Sequence, residues 1–290
     1  MFKVFECDSY AIRTPGDYGG VSVSLHRFSL LSLVFLGCTL LSLKTPAVVL
    51  EQEHEQTVTK AYQVPAYERV PGVAGKISSV GSDTLANLMT FWSQEFKTLY
   101  PQVGFQIQAS GSSTAPPALI EGTATIGPMS RELKPSEIRD FTRTHGYPPT
   151  VLKVAMDAIA IFVDRRNPLP GMTLDQVDAV FSETQFCGSD NEITTWSQLG
   201  VNDVAYRSPI RLYGRNSVSG TYGLFKVMAL CDGDFKNTVN EQPGSASVVL
   251  SVASGTGAIG YAAYGYKTAG VRALPLGESM DNLIPLSIDT

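Results

Sequence analysis

Four short loops of the sequence are rich in glycine and in residues with a side-chain hydroxyl. They are GSDT (81–84), SGSST (110–114), GPMSR (127–131) and GRNSVSGT (214–221). Serine and threonine hydroxyls donate hydrogen bonds without adding charge, and an arginine guanidinium has the planar fork that suits a tetrahedral oxyanion. Arg131 and Arg215 supply that fork in two of the four loops. This set of donors favours the binding of a small anion.

The positions of these loops support the same interpretation. Each loop follows a predicted strand, and three of them lead promptly into a predicted helix, whose free N–H groups and partial positive charge attract anions. Open α/β sheets bind ligands at the carboxyl ends of their strands. Any one loop of this kind is more commonly a helix cap. Four of them in one chain favour an anion site over four separate caps.

Strand and helix patterns alternate along the chain, which predicts an α/β fold with mostly parallel sheets. Thr173 and Gln176 stand in capping-box register at the start of one predicted helix. The apolar segment 150–165 is too long for one simple strand and is expected to bend or to cross between two lobes. Strands are predicted at 76–80, 104–110, 123–127, 209–213 and 257–262, and helices at 84–100, 115–122, 134–146, 173–181, 221–230 and 245–254.

Composition and motifs exclude several function classes. The net charge of −5 argues against non-specific nucleic-acid binding, which needs a basic surface. Only three histidines occur, and no two have metal-ligand spacing, so we expect no metal site. The chain has neither a G-x-S-x-G elbow nor a Walker loop, and His145 has no evident nucleophile partner. We therefore expect no enzyme activity and no cofactor.

The N-terminal region predicts export. The apolar run from Phe28 to Leu43 has the length of a signal-peptide core and is short for a membrane span. Residues 1–47 are interpreted as a spurious start followed by a signal peptide or a membrane anchor, with translation beginning near Val21 or Val23. A lipoprotein signal with Cys38 lipidated is a further alternative. The polar, Pro-containing segment 48–72 is predicted to be a linker.

Two of the four cysteines, Cys187 and Cys231, lie in the part that we expect to remain after export. In an oxidising compartment this even pair favours a disulfide, which would close a loop of about 44 residues and stabilise the fold by roughly 3–4 kcal/mol. Two unpaired buried thiols are the alternative.

Several stretches, in order, resemble the phosphate-binding subunit of bacterial high-affinity phosphate ABC importers. The segment GRNSVSGTYGLF is similar to the Arg-x-x-x-Ser-Gly-Thr signature of that family. The resemblance runs from about Gly75 to about Tyr266. It includes GSDTL, GSST, IGPMSREL, AIAIFVDRRNPL, AVFSE, ITTWSQLG and GAIGYA. Each piece alone is modestly specific, whereas the ordered set is strongly specific.

The resemblance implies a type II periplasmic-binding fold of two lobes, each a mixed sheet flanked by helices, with the anion enclosed between them. It assigns residues 73–157 and 256–290 to lobe 1 and residues 158–255 to lobe 2, with lobe 1 incomplete at the C-terminus. Phosphate would be bound by hydroxyls, main-chain N–H groups and an arginine. The implied residues are Thr84, Leu85 (through its N–H) and Ser112 of lobe 1, and Arg215, Ser219, Gly220 and Thr221 of lobe 2.

Two positions depart from the family pattern, which has an aspartate at each. Ser130, with Arg131 beside it, stands where the family has the carboxylate that accepts a hydrogen bond from protonated phosphate. Ser217 stands where the family has an aspartate two residues after the signature arginine. Asp83 is our first candidate for the missing acceptor and Asp157 is the second.

These observations predict an exported, monomeric receptor that captures inorganic phosphate and delivers it to a membrane ABC permease. The expected location is the periplasm, with a membrane-tethered form as a variant. One alternative is a receptor for another oxyanion, such as sulfate, molybdate or arsenate. The other is a phosphate-scavenging surface protein or a hydrolase of phosphate esters.

Overall fold

The computed structural model describes residues 67–189 and 191–286. Its first part is a parallel pair of strands with three helices around them. These elements are β1 (Gly75–Val80), α1 (Ala86–Leu99), β2 (Val103–Gln108), α2 (Ala115–Ile120) and α3 (Pro135–His145). All five elements confirm strands and helices that the sequence pattern predicted.

Local sequence signals account for the ends of these elements. Helix α1 ends at Leu99, one residue before the Tyr100–Pro101 pair, because proline disfavours helical geometry in the preceding residue. Helix α3 has Pro135 at its first position and Gly146 just beyond its end, where the φ angle of 78° is one that glycine adopts freely. The strand predicted at 123–127 is reduced to one bridge between Ser79 and Ile126.

The second part of the structure contains the larger sheet. Short 3-10 turns join some of its elements. The strands and helices are β3 (Ile159–Asp164), β4 (Met172–Thr173), α4 (Leu174–Phe181), β5 (Arg211–Arg215), α5 (Gly220–Ala229), β6 (Asn240–Gln242), α6 (Ser245–Ala253), β7 (Ala258–Ala263), β8 (Val271–Ala273) and β9 (Leu276–Gly277). Helix α4 has the predicted capping box, with the Gln176 N–H donating to Thr173 Oγ1 at 3.2 Å.

Five strands form this sheet in the order β6-β5-β7-β3-β8. Strand β3 is apolar on both faces because helices cover both. Ile161 and Val163 pack with α4 and α5, whereas Ala160 and Phe162 pack with α6. The expectation of mostly parallel sheets is confirmed for β1–β2, β5–β6 and β5–β7, but β3 runs antiparallel to β7 and β8. Since β3 enters from the first part of the chain, no β-α-β crossover sets its direction.

The division of the chain into lobes needs one correction. We expected residues 256–290 in lobe 1, but β7 and β8 both pair with β3 in the larger sheet. The physical reason is burial: every residue of β7 is buried between its neighbouring strands and the helices on the two faces. We therefore use lobe 1 for residues 73–157 and lobe 2 for residues 158–286. Residues 146–158 connect α3 of lobe 1 to β3 of lobe 2 without regular structure.

The predicted disulfide is present between Cys187 and Cys231, with Cα atoms 5.2 Å apart and a separation of 44 residues. It connects the segment after α4 to the residue that follows Leu230 at the end of α5. The Cys187 N–H also donates to the buried carboxylate of Asp178 at 3.0 Å. The cross-link therefore fixes one end of a helix whose other end lies between the lobes.

The interpretations of residues 1–47 and of most of the linker 48–72 fall outside the described residues. Residues 67–72 are described and form neither a helix nor a strand. Within 67–189 and 191–286, no helix combines the length and the apolar character that crossing a membrane requires.

Candidate anion site

Residues from all four hydroxyl- and glycine-rich loops meet between the two lobes. Thr84 Oγ1 of lobe 1 lies 3.3 Å from Thr221 Oγ1 of lobe 2. The Ser113 N–H of lobe 1 donates to the Val218 carbonyl of lobe 2 at 3.1 Å. These contacts confirm that the loops form one cluster, as their positions after predicted strands indicated.

The start of helix α5 is built to face lobe 1. Ser219 is the N-cap, and its hydroxyl accepts a hydrogen bond from the Thr221 N–H at 3.1 Å. Gly220 follows it, and a Cβ atom there would lie only 2.5 Å from both Ser112 Oγ and Ser130 Oγ. The Ser-Gly-Thr sequence therefore combines a cap, a point of close approach and a hydroxyl within one turn.

The two serines of lobe 1 form a pair. Ser112 Oγ and Ser130 Oγ are 3.1 Å apart, and the Ser130 N–H donates to Ser112 Oγ at 3.0 Å. Ser112 is fully buried. Its hydroxyl accepts the Ser130 N–H, and either hydroxyl of the pair can donate to the other.

Arg215 is the charge at the centre of the cluster, and its side chain is only 1% exposed. Its Nη1 lies 3.1 Å from Asp83 Oδ2 and donates to Ser245 Oγ at 2.9 Å. Its Nη2 donates to the Pro243 carbonyl at 3.1 Å. Two elements of lobe 2 and one loop of lobe 1 thus hold the guanidinium in a fixed plane.

One nitrogen of this guanidinium remains without a protein acceptor. Arg215 Nε is buried and has no hydrogen-bond partner among the described residues. Burial lowers the pKa of Arg215, although the carboxylate of Asp83 opposes that shift. Because the ordinary pKa of arginine is above 12, the group stays cationic at neutral pH. A buried, positively charged N–H group without an acceptor destabilises the protein, so this N–H indicates a site where a ligand supplies the acceptor.

Comparisons with known proteins agree with this geometry. Residues 65–283 match the model of the PBP superfamily domain. The chain is 57% identical over 215 residues to a protein named phosphate-binding protein PstS from Pseudomonas aeruginosa, a match that covers 74% of this chain and 67% of that protein. The chain belongs to the phosphate-binding protein family of the PBP superfamily.

Two solved structures share the fold. A phosphate ABC transporter substrate-binding protein with bound phosphate from Clostridium perfringens superposes with a TM-score of 0.59 at 28% identity, covering 70% of this chain and 76% of that one. An ABC-type phosphate transport receptor from Vibrio cholerae has a TM-score of 0.51 at 23% identity, covering 73% and 79%. The second supports the fold alone.

The carboxylate partner of Arg215 is Asp83, which the family pattern does not predict. Ser217 stands where the phosphate-binding protein family has the aspartate that follows the signature arginine, so Arg215 is either more electropositive than in the family or paired by a carboxylate that the sequence does not identify. The structure pairs Arg215 with Asp83, which belongs to the other lobe. This carboxylate oxygen also accepts the Ser245 N–H at 2.9 Å, so two donors already occupy the oxygen that we expected to face phosphate.

Arg131 has a partner away from the cluster. Its guanidinium donates twice to the Glu137 carboxylate, at 2.8 and 3.0 Å, and the Lys134 N–H donates to the same carboxylate. Partial burial acts to raise the pKa of Glu137, but these bonds outweigh it and lower the pKa. The contacts assign Arg131 to the start of α3, although its Nη2 also approaches Ser113 Oγ at 3.5 Å. No anion contact is needed to explain this arginine.

The remaining predicted residues of lobe 1 lie at the start of α1. Leu85 is the residue before the helix, and no side chain caps it. The Thr84 N–H donates to Ser82 Oγ at 3.2 Å, which leaves the Thr84 hydroxyl directed to Thr221. The loop therefore presents the Thr84 hydroxyl to lobe 2, whereas the first N–H of α1, that of Ala86, is bonded to the Asp83 carbonyl.

Two residues of the cluster were not predicted. Ser245 begins α6 and is the serine of the sequence PGS (243–245), which has the same glycine-hydroxyl character as the four loops and could have been included with them. Tyr266 donates its hydroxyl to the Asp83 carbonyl at 2.7 Å. Burial, with a contribution from Asp83, raises the pKa of Tyr266 to about 12, so the phenol stays protonated and remains a donor. Tyr266 ends the stretch GYAAYGY (260–266), which could suggest aromatic stacking on a ligand but which is more typical of a strand-helix junction.

Asp157, the second candidate acceptor, is also near Tyr266. Desolvation raises the pKa of Asp157 although the residue keeps solvent-exposed surface, and the N–H of Ala158 acts in the opposite direction. Its charge also contributes to the raised pKa of Tyr266.

Proposed function

We propose that this protein is an exported receptor that captures inorganic phosphate between its two lobes and passes it to a membrane ABC permease. The observation that carries the proposal is the buried Arg215 guanidinium, which keeps one N–H without a protein acceptor. It is bonded to Asp83, the neighbour of Thr84, and the Thr84 hydroxyl meets Thr221 at the start of α5. The relatives named above are phosphate-binding proteins, and one of them holds phosphate.

The proposed ligand set contains donors from both lobes. Thr84, Ser112 and Ser130 of lobe 1, together with the N–H of Leu85, would contribute uncharged donors. Arg215, Ser219, Gly220 and Thr221 of lobe 2 would contribute the cation and the N-terminus of α5. In this proposal Arg131 is not a ligand, because Glu137 holds it. Binding requires neither metal nor organic cofactor and leads to no chemical turnover.

Capture works through closure of the lobes. Contacts such as that between Thr84 and Thr221 exist only when the lobes are together, so an anion that adds bonds to both sides favours the closed state. We further propose that the protein acts as a monomer in the periplasm, either free or held at the membrane by its N-terminal segment.

The test is calorimetric titration with phosphate of the wild type and of two arginine variants. Arg215→Gln should weaken binding by at least about tenfold, since a charge-assisted hydrogen bond stabilises by about 1.5–3 kcal/mol. Arg211→Gln, on the same strand but exposed, is the matched control and should bind as the wild type does. Equal affinity in the wild type and Arg215→Gln would contradict the proposed site.

A second candidate ligand is a fully ionised oxyanion such as sulfate. Two observations favour it. Position 130 has a serine instead of an acceptor carboxylate, and both donors to Asp83 Oδ2 come from the protein. A titration with sulfate and a phosphate titration in the presence of sulfate decide between the two. Weak sulfate binding without competition supports phosphate, whereas tight sulfate binding supports the second candidate.

A further inference from the structure

We propose that Asp83 is a positioning residue that links closure of the lobes to the orientation of Arg215, and that it does not accept the proton of the bound phosphate. This inference rests on the proposed function. It is carried by three bonds that Asp83, a lobe 1 residue, makes to lobe 2. They join it to Arg215, to the first N–H of α6 and to the hydroxyl of Tyr266.

The loop that carries Asp83 is held firmly within lobe 1. The Ser82 N–H donates to the Pro128 carbonyl at 2.8 Å, and the Ala86 N–H donates to the Asp83 carbonyl at 3.0 Å. A Cβ atom on Gly81 would collide with the Pro128 carbonyl, so the loop also packs closely against its neighbour. Asp83 therefore moves with lobe 1 as a unit when the lobes separate.

Helix α6 of lobe 2 is built to receive this carboxylate. Its N-cap residue is Gly244, which has no side chain with which to cap the helix. Asp83 Oδ2 takes that role from the other lobe by accepting the Ser245 N–H at 2.9 Å. A Cβ atom on Gly244 would lie 2.7 Å from Asp83 Oδ1, so glycine at this position permits the close approach.

The same oxygen fixes the arginine. Asp83 Oδ2 is 3.1 Å from Arg215 Nη1, and Ser245 Oγ accepts from the same nitrogen at 2.9 Å. With Nη2 bound to Pro243, the plane of the guanidinium is set and Nε is the nitrogen that remains for a ligand. When the lobes separate, Arg215 loses Asp83 and is left with uncharged partners from lobe 2.

A carboxylate beside the anion could either accept a hydrogen bond from protonated phosphate or position Arg215, and the contacts of Asp83 distinguish these two roles. A hydrogen-bond acceptor for the anion must present a free oxygen to it, whereas Asp83 Oδ2 accepts from two protein groups, and Oδ1 lies on the side of α6, where a Cβ atom on Gly244 would be 2.7 Å from it. A positioning carboxylate must instead contact the arginine and the opposite lobe, which Asp83 does. The two roles differ in their consequence for ligand choice, because only an acceptor distinguishes a protonated oxyanion from an ionised one.

The experiment compares Asp83→Asn with Asp140→Asn, an exposed lobe 1 aspartate in an ion pair with Arg143. Phosphate and sulfate are titrated into the wild type and both variants. The proposal expects Asp83→Asn to weaken phosphate binding about tenfold or more while the ratio of phosphate to sulfate affinity stays within about twofold. Asp140→Asn should change neither. Gain of sulfate binding in Asp83→Asn, or unchanged phosphate affinity, would overturn the proposal.

A rescue variant supplies a second readout. Ser217→Asp places a carboxylate two residues after Arg215, within lobe 2, where the family pattern has one. Combined with Asp83→Asn, it should recover at least about half of the lost binding free energy if Asp83 acts through the arginine. No recovery, in a double variant whose far-ultraviolet circular dichroism matches the wild type, would mean that Asp83 acts by another route.

Hydrogen exchange distinguishes failure of this inference from failure of the proposed function, because Asp83 protects the Ser245 amide whenever the lobes are together. With saturating phosphate this amide should exchange about tenfold faster in Asp83→Asn than in the wild type or Asp140→Asn, and without ligand it should show a smaller difference of the same sign. A wild type that binds no phosphate but shows this difference would reject the proposed function and keep the contact between Asp83 and α6. Equal exchange rates in all three proteins would reject the contact itself.

Discussion

Replacing Gly220 with alanine tests directly whether the lobes must meet at the start of helix α5. The added Cβ atom would lie 2.5 Å from Ser112 Oγ and from Ser130 Oγ, about 1 Å closer than ordinary van der Waals contact. Neither serine can move away freely, since each is bonded to the other and Ser112 is fully buried. The lobes must therefore remain further apart in the variant.

The expected magnitude follows from overpacking. An inserted methyl group in a well-packed contact costs about 1–3 kcal/mol, which corresponds to binding that is about 5-fold to 150-fold weaker. The added methyl group makes closure of the lobes less favourable, and it does not destabilise the fold of either lobe. Alanine reduces the conformational entropy of the unfolded chain relative to glycine, so the thermal midpoint should stay the same or rise by about 1–2 °C.

Gly223 provides the matched control for this variant. It lies one turn further along α5, and a Cβ atom there would have no neighbour within 4 Å. Phosphate titration and thermal melting are measured for Gly220→Ala, Gly223→Ala and the wild type. Only Gly220→Ala should lose affinity, although both should melt at or slightly above the wild-type temperature. Affinity within twofold of the wild type in Gly220→Ala would refute the inferred closure contact.

Three further expectations concern other parts of the molecule. Glu137→Gln should lower the free energy of unfolding by about 1 kcal/mol at pH 7, measured by urea titration. Because the pKa of Glu137 is lowered in the fold, this loss of stability should shrink as the pH falls below 4.5. A loss that does not depend on pH would contradict this expectation. Replacing Cys187 and Cys231 by serine should cost about 4 kcal/mol and lower the melting temperature by roughly 8–16 °C, whereas an unchanged melting curve would show that the cross-link does not constrain the unfolded chain. Tyr266→Phe removes the donor to the Asp83 carbonyl and should weaken phosphate binding about fivefold by calorimetry, while equal affinity would exclude a role in closure.

Much of the fold could be predicted because its signals are local. Periodicity of three and four residues marked α1, the Pro and Gly at its two ends marked α2, and Gly146 marked the end of α3. The assignment of residues 256–290 to lobe 1 was wrong because strand partners depend on contacts distant in sequence. An apolar run such as β7 looks the same in either lobe, and only its pairing with β3 and β5 decides the matter.

The site shows the same distinction between local and distant information. The hydroxyl and glycine residues at helix starts were predicted because each contributes through its own backbone geometry. The partners of the two arginines were not, since Asp83 is 132 positions from Arg215 in the chain and Glu137 takes Arg131 into a local cap instead. Sequence order does not reveal which carboxylate a buried guanidinium will contact.

The pairing of Arg215 with Asp83 also explains how an acidic chain can hold an anion. The protein has a net charge of −5, and its central arginine is neutralised by a carboxylate. The attraction cannot then come from excess positive charge and must come from oriented donors, namely the free N–H of Arg215, hydroxyls, main-chain N–H groups and the N-terminus of α5. Such donors act only at hydrogen-bonding distance, and they lie on both lobes. Neutralising the arginine thus makes binding depend on closure, because an anion that contacts one lobe alone meets too few of the donors that stabilise it.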